Sequence, residues 1–408
     1  MAENVFDTLM NRGYIAQVTH EEDVRRYLSQ PGAIFYIGFD PTADSLHVGH
    51  FIQMMVMAHL QRAGHRPIVL LGGGTGMVGD PSGRSDLRQV LDEDTIRANV
   101  DRFREQMRIL IEFGDGKARM VDNADWLCQL NYIAFLRDIG SQFSVNRMLA
   151  AECFKQRLEK GLSFLEFNYM LMQAYDFLVL YQRYGCRLQL GGDDQWSNIL
   201  AGVDLVRRKE QAEAYGMTFH LLTTKAGVKM GKTAGGALWL DREKTPPFDF
   251  YQYWRNIDDA DVVNCLKLLT FVSLDEIRAM ASLKDEAINE AKKRLAWEVT
   301  AIVHGKEAAD QAAEQAAALF SGPGRADTMP TTRLAAADLG TRPLLDLLLD
   351  AGFIPSKGEG RRLIQQNGLY LNGQPVQDPA CCLTRDDFPS GEAVVRKGKK
   401  AFHRFLIG

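Results

Sequence analysis

The sequence predicts an α/β protein: a Rossmann-type doubly wound parallel sheet, then an α-helical domain and a small α+β module. Three observations predict this order. Residues 33–39 (Ala-Ile-Phe-Tyr-Ile-Gly-Phe) and 68–71 (Ile-Val-Leu-Leu) are short apolar runs separated by a stretch with helical apolar spacing. Strand, helix and strand within about forty residues make a βαβ unit with a right-handed crossover. Residues 247–320 read as almost entirely helical, and the tail places Leu369-Tyr370-Leu371 before an Asn372-Gly373 turn.

The elements follow in chain order. The first strand ends in the turn Asp40-Pro41-Thr42-Ala43-Asp44, with Ser45 as the expected cap of a helix over about 46–63. Gly64 through Pro67 ends that helix and leads into the second strand. Further strands are expected at 118–121 and 186–190, with a largely helical insertion at about 126–165. The sheet domain is thus assigned to 1–224, a loop and linker to 225–246, and the helical domain to 247–320. A Gly-, Pro- and Thr-rich stretch makes 321–340 the linker to a last module at 341–408.

Composition sets the outer limits. A chain of 408 residues is too long for one core, and 46% hydrophobic with 25% charged residues is ordinary for a globular protein. No apolar run is long enough to cross a bilayer, and the N-terminus lacks a basic region followed by an apolar one. Six scattered cysteines without metal-ligand spacing suit reduced thiols, so the expectation is a cytoplasmic protein with no membrane and no resident metal. Net charge is divided: 10 Lys and Arg against 7 Asp and Glu from Thr341 onward, but 38 against 45 before it. A basic tail on an acidic body suits a polyanionic partner, although a solvated surface explains the charge equally well.

Four constellations could carry chemistry. His47-Val48-Gly49-His50 puts two imidazoles on one face of a helix N-terminus, where free N–H groups favour phosphate. By itself this string also fits two surface histidines or half of a zinc site. Lys229-Met230-Gly231-Lys232-Thr233 is a glycine-hinged loop with two ammonium groups, or a plain solvated loop. Gly72-Gly73-Gly74-Thr75-Gly76, followed by Gly79 through Arg84 and by Arg88, is a second phosphate-facing candidate, but fits neither the P-loop nor the dinucleotide spacing. Tyr169, Gln173 and Asp176 share one helical stripe, and Gly191 through Trp196 follows a strand directly. Polar groups along a buried stripe need partners, either a polar ligand or an internal network.

In sum, these motifs closely resemble those of the bacterial tyrosyl-tRNA synthetases, class I aminoacyl-tRNA synthetases. The matching strings are Tyr36 through Thr42 with His47 through His50, Gly79 through Gly83, Tyr169 through Asp176, Gly191 through Trp196, and Lys229 through Thr233. In the tail, Ser356 through Ile364 and Tyr370 through Gly373 resemble the S4-type RNA-binding domain of these enzymes. The resemblance implies that Tyr36 and Asp176 hold the phenolic hydroxyl of L-tyrosine, and that Asp80, Tyr169 and Gln173 hold its ammonium group. It implies that Asp40, Thr42, His47, Gly49 and His50 bind ATP, with Gly191, Asp194 and Gln195 beside the ribose and carboxylate. Lys229, Lys232, Thr233, Arg84 and Arg88, with Mg2+ brought by ATP, would meet the charge that develops on the phosphates. Arg84 replaces the lysine usual in the family, and Met230 stands where many relatives have phenylalanine. The tail residues Arg361, Arg362, Arg396, Lys397, Lys399 and Lys400 would contact tRNA(Tyr), and 247–320 would be an anticodon-binding domain. The resemblance also implies a homodimer, with the 126–165 insertion at its interface. The activity implied is tyrosine activation followed by transfer to the 3′-terminal adenosine of the tRNA. Tryptophanyl-tRNA synthetase and other nucleotidyltransferases with the same histidine motif are the alternatives.

Overall fold

A computed structural model describes residues 4–82, 91–151, 154, 158, 161–233, 236–283, 287–320, 330–335, 338–366, 368–388, 391–398 and 401–407. The chain divides into two compact units, Met1–Ala316 and Ala317–Gly408. The sheet and the helices of 247–320, expected as separate domains, therefore lie in one unit.

The first unit is built on six strands: β1 (Ile15–Val18), β2 (Ile34–Phe39), β3 (Arg66–Leu71), β4 (Arg119–Asp122), β5 (Leu188–Gly192) and β6 (Tyr215–Phe219). They lie in the order β1-β6-β5-β2-β3-β4. All neighbours are parallel except β1, which runs antiparallel to β6. The strands β1 and β6 carry no long apolar run and were not foreseen. The chain builds outward from β2 through β3 to β4, then restarts on the other side at β5. The reversal between β2 and β5 opens a crevice beyond their carboxyl ends, where doubly wound sheets bind ligands.

The central strands are buried on both faces, as parallel strands covered by helices must be. Phe35, Ile37, Val69, Leu71, Leu188 and Leu190 are among their core residues. The helix Val48–Arg62 packs nine buried residues against them. Its predicted cap is displaced: His47, not Ser45, is the N-cap. Ser45 is fully buried and donates instead to the Leu46 carbonyl at 2.9 Å, so its hydroxyl is not available to the helix end. The helix Phe164–Tyr184 begins with a reciprocal Ser163–Glu166 capping box and ends at Gly185 in the left-handed region (φ 68°).

The second unit has a five-stranded sheet in which β9 (Thr331–Leu334) pairs parallel with the last strand, β13 (Ala401–Ile407). Residues read as linker thus supply an edge strand. Between them in the chain lie β10 (Leu369–Leu371), β11 (Gln374–Pro375) and β12 (Glu392–Lys397). Asn372 and Gly373 both have positive φ, 49° and 84°, as the foreseen tight hairpin turn requires. The helices Leu344–Asp350 and Lys357–Gln365 cover the sheet around a separate core that includes Leu344, Leu348, Leu369, Val395 and Phe405.

Candidate active site

A cavity of about 750 Å³ fills the crevice at the strand reversal. Its lining brings together Tyr36 from β2, Asp40, Thr42 and His47 from the turn after it, and Gly49 and His50 from the first turn of the helix Val48–Arg62. Asp80 joins them from the glycine-rich segment, and Tyr169, Gln173 and Asp176 from one stripe of the helix Phe164–Tyr184. Gly191, Asp194 and Gln195 close the β5 edge, and Lys229 stands at the mouth. Lys232 and Thr233 continue from Lys229 into a two-residue strand, β7, paired with β8 (Gly236–Ala237). Their side chains, and all of Arg84, Arg88, Lys399 and Lys400, lie outside the described residues.

One end of the cavity is deep. Tyr36 and Asp176 are almost wholly buried. Asp176 accepts the Trp126 indole N–H at 2.7 Å on one oxygen and the Asn123 amide at 2.9 Å on the other. Even with those two donors, burial pushes the carboxyl up to about 8, and nearby Asp40 and Asp122 add to this. The Tyr36 hydroxyl is raised well above its usual value, first by burial and then by Asp176. It has no hydrogen-bond partner among the described residues, nor do Gln173 Oε1 and Gln189 Oε1. All three residues line this one cavity. Orphaned buried polar atoms are costly, and their convergence marks a place for a ligand with its own polar groups.

A chain of hydrogen bonds leads outward. Asn123 also donates to the Thr75 hydroxyl at 3.0 Å and accepts the Gly74 N–H at 2.8 Å. Thr75 donates to Asp40 at 2.8 Å, and the Tyr169 hydroxyl donates to the other Asp40 oxygen at 2.8 Å. Asp80 accepts the Ser82 N–H and the Gln195 amide, the latter at 2.7 Å. Asp194 is raised by burial and by its neighbour Asp80.

The histidines form the other end. Their rings stack with centroids 4.0 Å apart. His47 Nδ1 accepts the Gly49 N–H at 3.0 Å, and His50 Nδ1 accepts the His47 N–H at 3.2 Å. A nitrogen that accepts carries no proton, so each neutral ring keeps its hydrogen on Nε2 as a donor. This hydrogen-bond pattern favours a pair of donors beside a helix N-terminus, suited to phosphate oxygens.

Gly49 lines the cavity and also has a reason within the protein. A Cβ there would sit 2.7 Å from His47 Cε1, so the small residue makes room for the imidazole. The glycine run after β3 is likewise explained within the protein. A Cβ on Gly72 would meet Asp40 Oδ1 at 2.2 Å, and one on Gly73 would meet Asp122 Oδ1 at 2.3 Å.

Sequence reasoning missed Asn123, Trp126 and Gln189, and singled out Thr75 only as part of the glycine run. The first two sit at the end of β4, and only the position of Asn123 directly after a strand hinted at them. Asp193, to which no role was attached, accepts the Gln17 amide at 2.7 Å and the Thr218 hydroxyl at 2.9 Å, tying β5 to β1 and β6. In the second unit Arg361 and Arg362 are exposed, while Lys397 donates to the Phe353 carbonyl at 3.0 Å and so is engaged by the fold.

A strand-reversal crevice with stacked imidazoles at one end and a buried polar recess at the other defines a Rossmann-type nucleotide-dependent enzyme. The comparisons narrow this to a family. The model of the class I tRNA synthetases (W and Y) matches residues 29–321, and that of the tyrosine–tRNA ligase SYY-like C-terminal domain matches 324–405. The chain belongs to the class I tRNA synthetase family of the tryptophan and tyrosine enzymes. It is 63% identical to the tyrosine–tRNA ligase of Acetivibrio thermocellus over 405 residues, covering 99% of each chain. It is 60% identical to that of Clostridium botulinum strain Alaska E43 over 404 residues, again 99% of each. Among solved structures, a C-terminally truncated mitochondrial tyrosyl-tRNA synthetase from Aspergillus nidulans superposes with a TM-score of 0.70 at 30% identity, over 78% of this chain and 94% of that one.

Proposed function

We infer that the chain activates L-tyrosine with ATP, releasing pyrophosphate, and transfers the tyrosyl group to the 3′-terminal adenosine of tRNA(Tyr). The observation that carries this reading is the recess of Tyr36 and Asp176: a buried hydroxyl with no partner among the described residues, beside a buried carboxyl, at the end of a cavity that begins at two histidines. A tyrosine phenol would accept from Tyr36 and donate to Asp176. Phenylalanine would strand both, a rejection for which tyrosyl-tRNA synthetase is itself the standard example.

The tyrosine carboxylate is already a nucleophile, so attack on the α-phosphate requires no general base. It requires orientation and cations near the developing charge. Asp80, Tyr169 and Gln173 would hold the ammonium group, with Gln195 steadying Asp80. His47 and His50 would donate from Nε2 to phosphate oxygens, and Lys229 and Lys232 would meet the departing pyrophosphate, with Thr233, Arg84 and Arg88 beside them. Asp40, Thr42, Gly191 and Asp194 would line the nucleotide. Among the described residues no group of three His, Cys, Asp or Glu stands ready to hold a metal. Magnesium would come with ATP and neutralise charge on its phosphates.

For the tRNA we assign the exposed Arg361 and Arg362, together with Arg396, whose guanidinium lies 3.9 Å from the Tyr370 ring centroid. Phosphate contacts of this kind give a salt-sensitive affinity. A homodimer in the cytoplasm completes the reading. Its support is an apolar surface in and beside the 126–165 insertion, where Tyr132, Ile133 and Phe164 are 59%, 62% and 68% exposed. No helix among the described residues is long and apolar enough to cross a membrane. The test is ATP–pyrophosphate exchange with each of the twenty amino acids. Exchange with tyrosine alone is expected; exchange driven by tryptophan instead would overturn the assignment.

A further inference from the structure

The Lys229–Thr233 segment is held from behind by the helices Pro247–Arg255 and Val262–Leu269 through a few discrete contacts. The Tyr253 hydroxyl accepts the Gly231 N–H at 2.8 Å. Gly231 is in the left-handed region (φ 83°), and a Cβ there would lie 2.2 Å from Val48 Cγ2. Met230 is buried, its sulfur 3.7 Å from the Cys265 thiol. At the root of the loop, the Lys225 N–H donates to Asp261 at 2.6 Å. On the front, Gly231 and Leu238 are joined by a backbone hydrogen bond of 2.7 Å, and the Val48 N–H donates to the Leu238 carbonyl at 3.1 Å.

Behind these pins lies an open cleft. A second cavity of about 320 Å³ is lined by Met230 and Tyr253 together with Thr224, Gln252, Asn256 and Asp261. A loop bordered by an open cleft is held on that side by the bonds that cross to it, while the Met230 N–H donates to the Leu222 carbonyl at 2.9 Å. The only described side-chain hydrogen bond to the backbone of Gly231 comes from Tyr253.

We propose that Tyr253 is a positioning residue for adenylate formation: its hydroxyl pins Gly231 and so fixes where the flanking Lys229 and Lys232 stand relative to the reacting phosphates. This rests on the assignment of those lysines given above. Stabilisation of a developing charge is steeply dependent on placement, so loss of the pin affects the step that uses the lysines and not the tyrosine recess across the cavity. Tyr253 packs edge-on against Trp254, ring centroids 5.0 Å apart, and Tyr253→Phe preserves that ring while removing only the hydroxyl.

The experiment compares parent and Tyr253→Phe enzymes in tyrosine-dependent ATP–pyrophosphate exchange over a range of ATP, with tyrosine binding measured separately by equilibrium dialysis without ATP. A single hydrogen bond predicts a fall of about 3–10-fold in kcat/KM for ATP, with the tyrosine dissociation constant within twofold of the parent and an unchanged melting temperature. Unchanged exchange in the variant of an active parent overturns this inference alone. Tyrosine binding lost in step with exchange also overturns it, because the residue would then act on the whole fold. A parent without tyrosine-dependent exchange overturns the functional assignment and this inference with it.

Discussion

Trp126 donates its indole N–H to Asp176 at 2.7 Å, so the carboxyl that would read the substrate hydroxyl is aimed from the opposite wall of the recess. The same carboxyl takes a second bond from Asn123. Two donors fix its orientation and offset part of the cost of burying it.

Trp126→Phe keeps an aromatic ring and removes that donor. A hydrogen bond to a neutral carboxyl contributes about 1 kcal/mol, roughly fivefold in a dissociation constant. Tyrosine binding is expected to weaken by about that factor, with ATP saturation of exchange little changed. Equal losses in both would show that Trp126 supports the fold rather than the recess.

The raised Asp176 carboxyl makes stability depend on pH. Its value rises from an ordinary 3.8 to about 8 in the folded protein. Between those values the folded state binds the proton and the unfolded state does not, so stability falls as pH increases from about 4 to about 8 and levels off above. Asp176→Asn removes this term. The variant is expected to melt at a higher temperature than the parent at pH 8 and at a similar one near pH 4, and to lose tyrosine activation. Parallel melting curves across pH 5–9 would show that Asp176 is not the group concerned.

Much of the site was legible because its residues carry spacing. His47 and His50 three apart, and Tyr169, Gln173 and Asp176 on one helical stripe, announce which side chains share a face before any coordinates exist. The strand reversal that gathers them could be inferred only in outline, since β1 and β6, which complete the sheet beyond β5, carry no long apolar run. Asn123 and Trp126 were not legible for a related reason: they lie about fifty residues from Asp176 in the chain and join it only through the pairing of β4 with β3. The helix cap was misplaced because Ser45 has the right chemistry at the right distance, yet the core claims it first. Glycine runs are ambiguous in sequence for the same physical reason: Gly49 and Gly72 make room for His47 and Asp40 as well as lining the cavity.

Gly49→Ala tests that point. A methyl group 2.7 Å from His47 Cε1 obliges the ring to move, which disturbs its stack with His50 and the tautomer fixed by the Gly49 N–H. Exchange is expected to fall at least tenfold through a weaker response to ATP, while tyrosine binding without ATP stays at the parent level. Activity retained in full would mean that the His47 ring needs no fixed position.

The boundary between the two units makes the final prediction, about truncation. The strand β9 belongs to the C-terminal sheet and pairs with β13 from Arg404↔Thr331 to Ile407↔Leu334. A cut at 340, at the boundary expected from sequence, leaves that strand behind without its partner, and an unpaired edge strand is a template for aggregation. A cut at 320 removes it whole and ends at the close of the helix Lys306–Phe320. Residues 1–320 are therefore expected to remain soluble and to retain tyrosine-dependent exchange, while tRNA charging falls because Arg361, Arg362 and Arg396 are gone. Residues 1–340 should show the same exchange per folded molecule but aggregate at lower concentration, which light scattering measures directly. Unchanged tRNA charging by 1–320 would remove the tail from the account of tRNA binding, and equal solubility of the two truncations would show that β9 is not held by β13.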